Sequence, residues 1–214
     1  MDMIHNFPFF SILIALFSST ICSVLPGKIA KWVNTAVIII AGVMSGTVLW
    51  YVSATGKCFV YLMGHFPAPW GNEIRAGILE GAMALFFCII MLLCMWGGRK
   101  KLLEEVEESK HNLYYVLVNL LLSSLLALIY TNDLFTAYVF VEINTIAACG
   151  LFMIRQIGRT LEAAMLYMIM SLVGSGLLLF GICMLYDLTG HLLMSNIQEQ
   201  VTQIMTDGTY AIPL

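Results

Sequence analysis

Glu142 is the residue of this sequence best placed to do chemistry. It stands in DLFTAYVFVEINTIAACGLFMI, residues 133 to 154, an otherwise apolar run long enough to cross a bilayer, nine residues from Asp133 and twelve from the far end. Neither interface is within easy reach, and an ionised acid at such a depth costs about 2.5 to 3.5 kcal/mol on insertion scales. The group must therefore be protonated, paired or hydrated. At helical spacing Tyr138, Thr145 and Cys149 share its face, which makes a polar stripe pointing inward. Desolvation favours the neutral acid and a nearby cation favours the carboxylate, so a group held between the two can take up and release a proton. The simpler alternative is a protonated glutamate that serves only as a hydrogen bond between helices.

The remaining chemistry-bearing residues are weaker candidates. Glu80 opens an earlier apolar run and fits either the headgroup region or a lateral polar contact, and it is kept with Ser171 and Ser175 as a further supporting candidate. Asp133 sits in the tight turn TND, where it is expected to cap the helix that follows. Glu162 lies three residues after Arg159, so an ordinary surface ion pair is expected there. His5, His65, His111 and His191 are isolated in loops or at helix ends, and no metal is expected. The six cysteines, at 22, 58, 88, 94, 149 and 183, show no CxxC or CxxxH spacing and read as small hydrophobes. No flavin, quinone or iron–sulfur motif is present, so no cofactor is expected.

These residues must be positioned by membrane helices. The chain is 60% hydrophobic and 11% charged with a mean hydropathy of +0.90, whereas soluble domains carry about 25% charged residues. The fold class is all-α and polytopic. Six runs meet the length needed to span: about 8 to 25, 32 to 54, 77 to 97, 113 to 130, 133 to 154 and 161 to 186. The first has no basic residue ahead of its apolar core and is read as a retained helix rather than a signal peptide. The division is 1–97 as a three-helix membrane segment, 98–112 as a charged hairpin, 113–186 as the fourth to sixth helices, and 187–214 as a polar, partly amphipathic tail. Lys28, Lys31, Arg99, Lys100, Lys101, Lys110, Arg155 and Arg159 flank one face, against Lys57 and Arg75 on the other. The positive-inside rule then puts the first face in the cytoplasm and both termini outside. Gly42 with Gly46, Gly77 with Gly81, and the series Asn119, Ser123, Ala127 make small-residue faces, read as generic helix packing. The net charge of -3 is uninformative about partners, and nucleic acid is not expected.

One stretch resembles a known family. NDLFTAYVFVEINTIAACGLF, followed by EAAMLYMIMSLVGSGLLLFGICMLYDLTGHLLMSNI, is similar to the fifth and sixth helices of the antiporter-like proton-translocating subunits. These occur in respiratory complex I, membrane-bound hydrogenases and multisubunit sodium/proton antiporters. Glu142 in VFVEI matches the glutamate that family uses for ion translocation, and Glu162, Ala163, Ala164, Tyr167, Gly174, Ser175, Gly181, Tyr186, Thr189 and Gly190 match its next pattern. Upstream, HFPAPWGNEIRAG looks like the loop before the third helix in the antiporter and hydrogenase branch. Leu166 departs from the pattern, because the family usually has a lysine there.

The resemblance implies a partial antiporter-like subunit that contributes to proton or sodium/proton translocation in a bacterial or archaeal cytoplasmic membrane. A full family subunit has many more helices, built around inverted repeats, with a lysine on its seventh helix that pairs with the glutamate. That lysine and the remaining helices are expected from partner membrane subunits. Two alternatives stand beside this reading: an assembly subunit or truncated family member without its own ion path, and a free-standing transporter formed by two copies.

Overall fold

The computed structural model describes residues 2–63, 72–98 and 104–207. His65 with the rest of the HFPAPW segment, Arg99, Lys100, Lys101 and the last seven residues lie outside them. In chain order the elements are α1 (Asp2–His5), α2 (Phe7–Val24), α3 (Gly27–Thr55), β1 (Phe59–Leu62), β2 (Glu73–Ala76), α4 (Ile78–Gly97), α5 (His111–Tyr130), α6 (Leu134–Met153), α7 (Gly158–Thr189) and α8 (Met194–Asp207). A short 3-10 turn, Glu108–Lys110, leads into α5.

Six of these helices are long and apolar enough to span a membrane. Backbone groups in hydrocarbon have no water to bond, so each crossing satisfies them internally as a helix. The 29 residues of α3 and the 32 of α7 outrun the expected spans at both ends. At 1.5 Å per residue α7 is about 48 Å long, well beyond a hydrocarbon core of about 30 Å. It either tilts or projects.

Helix α5 is the hub of the bundle. It packs on α2, α3, α4 and α6, and its Leu122, Leu126 and Tyr130 are fully buried with Ile38, Val48 and Val52 of α3. The glycine faces bring α3 and α4 together: a Cβ at Gly81 would lie 3.2 Å from the Leu49 backbone, and one at Gly42 would lie 3.4 Å from Cys88 Cβ. In the reverse sense α7 is poorly covered, touching α6 and α8 and presenting Leu166, Met170, Leu172, Leu177 and Phe180 outward.

The loop after α3 is more ordered than the sequence suggests. β1 and β2 form an antiparallel hairpin with Phe59 opposite Ala76 and Leu62 opposite Glu73. FVYL and EIRA are short and β-prone, and their backbone groups pair with each other. The all-α membrane architecture stands with this hairpin added at one face. There Asn132 ties three connections together: its backbone N–H donates to Glu73 O at 2.9 Å, its side-chain amide donates to Glu73 Oε1 at 2.7 Å and to Ser195 Oγ at 3.1 Å, and its carbonyl accepts from Met194 N at 2.8 Å.

Candidate functional site

Glu142 is held at mid-height of α6 by anchors at both ends of that helix. Asp133 caps its start, its carboxylate accepting the Thr136 N–H at 2.7 Å as the sequence predicts. Further along, Gly150 has no side chain to hold α5 off: a Cβ there would come within 2.9 Å of Leu117. The connection between α5 and α6 is tight, so the two helices run antiparallel. Counting back from Gly150 and forward from Leu117 places Glu142 level with Ser124 and Leu125 of α5.

The other side is set by α7. Thr145 Oγ1 and Ser171 Oγ are 3.3 Å apart, and Cys149 Sγ approaches Ala164 O at 3.9 Å. Those two contacts fix an antiparallel register that puts Glu142 level with Gly174 and Ser175. The buried positions of α7 are Ala164, Ser175 and Ile182, the seam it turns toward α6. Thr145, Ser171 and Ser175 are therefore brought to one inter-helix seam with Glu142.

Hydroxyls dominate this level of the bundle. Ser124 donates to Leu121 O at 2.9 Å, Thr145 to Val141 O at 3.0 Å and Ser175 to Leu172 O at 3.1 Å. Across the Thr145–Ser171 contact either hydroxyl can donate. Each of these hydroxyls can also accept. Within this seam Oε1 of Glu142 is buried without any hydrogen-bond partner. An orphan of this kind is unusual among buried polar groups.

The remaining sequence candidates fall elsewhere. Tyr138 lies one turn below Glu142, half-buried, with its ring 6.3 Å from Phe135. Glu80 is across the bundle in the first turn of α4, its Oε2 over Gly77. Since α4 packs on α3 and α5, while α6 packs on α5 and α7, Glu80 does not join the Glu142 seam. The expected Arg159–Glu162 ion pair does not form: both side chains are exposed, and the ion pairs among the described residues are Lys110–Glu107 at 3.0 Å and Arg155–Glu105 at 3.2 Å. Each of these acids reaches its cation from the charged segment before α5, which a reading along α7 alone misses. Among the described residues no three His, Cys, Asp or Glu side chains converge.

A second polar site was not foreseen. Asn34 of α3 and Asn119 of α5 are fully buried and joined by a 2.8 Å bond from Asn34 Nδ2 to Asn119 Oδ1. Asn34 Nδ2 also reaches Tyr115 O at 3.3 Å, and Asn119 Nδ2 donates to Cys22 Sγ at 3.6 Å. The four-residue stripe of Asn119, Ser123 and Ala127 hinted at a buried face, but the partner on α3 could not be read from spacing.

Fold and site together define a multi-pass membrane protein with an unpartnered carboxylate midway along one of its spanning helices. Residues 131–212, which include α6, α7 and α8, match the family described as NADH:quinone oxidoreductase/Mrp antiporter, TM. The chain is 28% identical over 210 residues to a Na(+)/H(+) antiporter subunit of Bacillus subtilis, covering 97% of this chain and 42% of that protein. It is 27% identical over 159 residues to an NADH-quinone oxidoreductase subunit of Desulforudis audaxviator, covering 74% of this chain and 31% of that one. Among solved structures, a chain of the membrane-bound sulfane sulfur reductase, an archaeal respiratory membrane complex, superposes with a TM-score of 0.82 at 25% identity, covering 92% of this chain and 40% of that chain. The chain thus spans less than half the length of each of these relatives.

Proposed function

We propose that this chain is a membrane subunit contributing to proton, or sodium/proton, translocation within a complex I-like, hydrogenase or multisubunit antiporter assembly, with Glu142 as the proton carrier. The observation that carries the reading is the buried, unpartnered Oε1 at mid-height of α6 in a seam lined by hydroxyls. A buried carboxylate without a partner needs a donor or cation brought to it to hold its charge. That supplier is a lysine on helices beyond these 214 residues, reaching Glu142 from the open side of α6 and α7. Approach of the cation releases the proton; its withdrawal lets the acid take one up again. Tyr138, Thr145, Ser171 and Ser175 line the approach and help to hold water there. Glu80 stands outside this path.

The relatives support the setting: each is named as a subunit or chain of a larger membrane system. The cation-rich face is assigned to the cytoplasm, with the hairpin and both termini outside. A structural reading of Glu142 keeps one observation in its favour, since the hydroxyl acceptors of Ser124, Thr145, Ser171 and Ser175 suit a permanently protonated acid that pins α6 to its neighbours. Glu142→Gln separates the two, because glutamine retains the donor and cannot titrate. The carrier reading expects assembly to survive and ion translocation by the complex to be lost; intact translocation in the variant would overturn it.

A further inference from the structure

Two further buried hydroxyls, Tyr130 Oη of α5 and Ser45 Oγ of α3, have no hydrogen-bond partner. They lie between α3, α4 and α5, apart from the Glu142 seam. Every other buried serine among the described residues, Ser11, Ser18, Ser19, Ser123, Ser124 and Ser175, donates to the carbonyl three residues back in its own helix. Ser45 does not, and its oxygen faces Tyr130 Oη without reaching bonding geometry. Buried polar groups are nearly always satisfied, by protein or by ordered water.

The register of three helices brings the pair together. Asn34 of α3 bonds Asn119 of α5, and eleven residues further along each helix, close to three turns, stand Ser45 and Tyr130. Both helices run toward the hairpin, so the same two faces meet again at this level. On α4 the buried positions are Gly81, Ala84 and Cys88, all small. The approach of Gly81 to Leu49 and of Gly42 to Cys88 puts Ala84 close to the level of Ser45. Beside Ser45, a Cβ at Gly46 would meet Leu85 no closer than 3.8 Å. The two hydroxyls therefore meet α4 where its side chains are smallest.

Glu80 stands at the hairpin end of the same seam. It lies one turn before Ala84 on α4 and is partly exposed, with its Oε2 folded over Gly77 beside Cys58 Sγ. Its charge acts on the Tyr130 hydroxyl.

We infer that this seam holds bound water: Tyr130 Oη and Ser45 Oγ bond to it inside the bundle, and the Glu80 carboxylate accepts from it at the hairpin end. A buried water makes about three hydrogen bonds, and the site offers that many groups. Glu80 is then a lateral polar contact into the bundle rather than an acid of the headgroup region. The inference stands independently of the role of Glu142.

The test is radiolytic hydroxyl labelling of the full chain in native membranes, read residue by residue by mass spectrometry. Radicals form from water and travel only a short way, so a fully buried side chain is labelled only beside bound water. Tyr130 is expected to take up oxygen, whereas Leu126, fully buried one turn earlier, is expected to stay silent. Ser45→Val removes one partner and fills the space, and it should abolish the Tyr130 label while circular dichroism shows the helices intact. Glu80→Leu should reduce the label, and Glu80→Gln, which still accepts, should retain it. A Tyr130 as silent as Leu126 in the native chain overturns the inference, because the two hydroxyls then bond each other directly. A label that survives Ser45→Val also overturns it, by showing access through local opening. A label indifferent to Glu80→Leu overturns the part assigned to the carboxylate.

Discussion

Glu142 and the Asn34–Asn119 pair are two solutions to one problem, a polar side chain where no water is at hand. The asparagines answer it with each other, although Oδ1 of Asn34 is left without a partner. Asn119→Ala would leave Asn34 Nδ2 only its longer bond to Tyr115 O, at 3.3 Å, and the chain in detergent should lose about 1 to 3 kcal/mol of unfolding free energy. Replacing both by leucine should cost less, because no orphan remains, and a double-mutant cycle would show the coupling. Glu142 has no such answer within the described residues, and this is what motivates its proposed role as a proton carrier. Its depth was legible from the sequence, since position within an apolar run is a one-dimensional property. The Ser124 level and the Thr145–Ser171 contact were not, because they depend on the rotation and register of three helices. The short TND turn offered the one available clue, as it forces α5 and α6 to pair about that point.

At the scale of elements, the helices divide into those packed by their own sequence and those left open. Gly81 meets the Leu49 backbone at 3.2 Å, whereas a Cβ at Gly174, Gly176 or Gly181 would meet nothing within 4 Å. Gly81→Val should therefore push α3 and α4 apart and cost about 1 to 3 kcal/mol, read by thermal unfolding. Gly174→Leu should leave the unfolding of the isolated chain nearly unchanged and weaken its recovery with partner subunits, because that face of α7 is where further helices are proposed to pack. Asp133→Ala removes the cap of α6 and should cost about 1 kcal/mol in the same unfolding measurement. Six spans could be read from hydropathy alone because each is a long apolar run. The hairpin escaped notice because its four-residue strands are too short to show a period, and their placement depends on contacts with Thr131 and Asn132.

For the whole molecule, the uneven coverage of the helices is the main constraint. α5 is the most buried of the spanning helices, while α7 and α6 leave most of their apolar length uncovered. Lipid alone can cover such a face, but it cannot supply the cation that the proposed carrier role of Glu142 calls for. The proposed topology is open to a direct check with a membrane-impermeant thiol reagent on intact cells, using variants that lack the other cysteines. Cys58, exposed beside the hairpin, should label from outside, and Arg159→Cys should label only after the membrane is opened. The central claim is that Glu142 takes up and releases a proton as the assembly works. Infrared difference spectroscopy of the assembled complex, with and without an imposed ion gradient, observes the protonated carboxyl band itself. The account predicts a band that appears and disappears with the gradient in the native complex and is absent in Glu142→Gln. A Glu142 band that stays constant through the cycle would contradict it and leave the residue a structural pin.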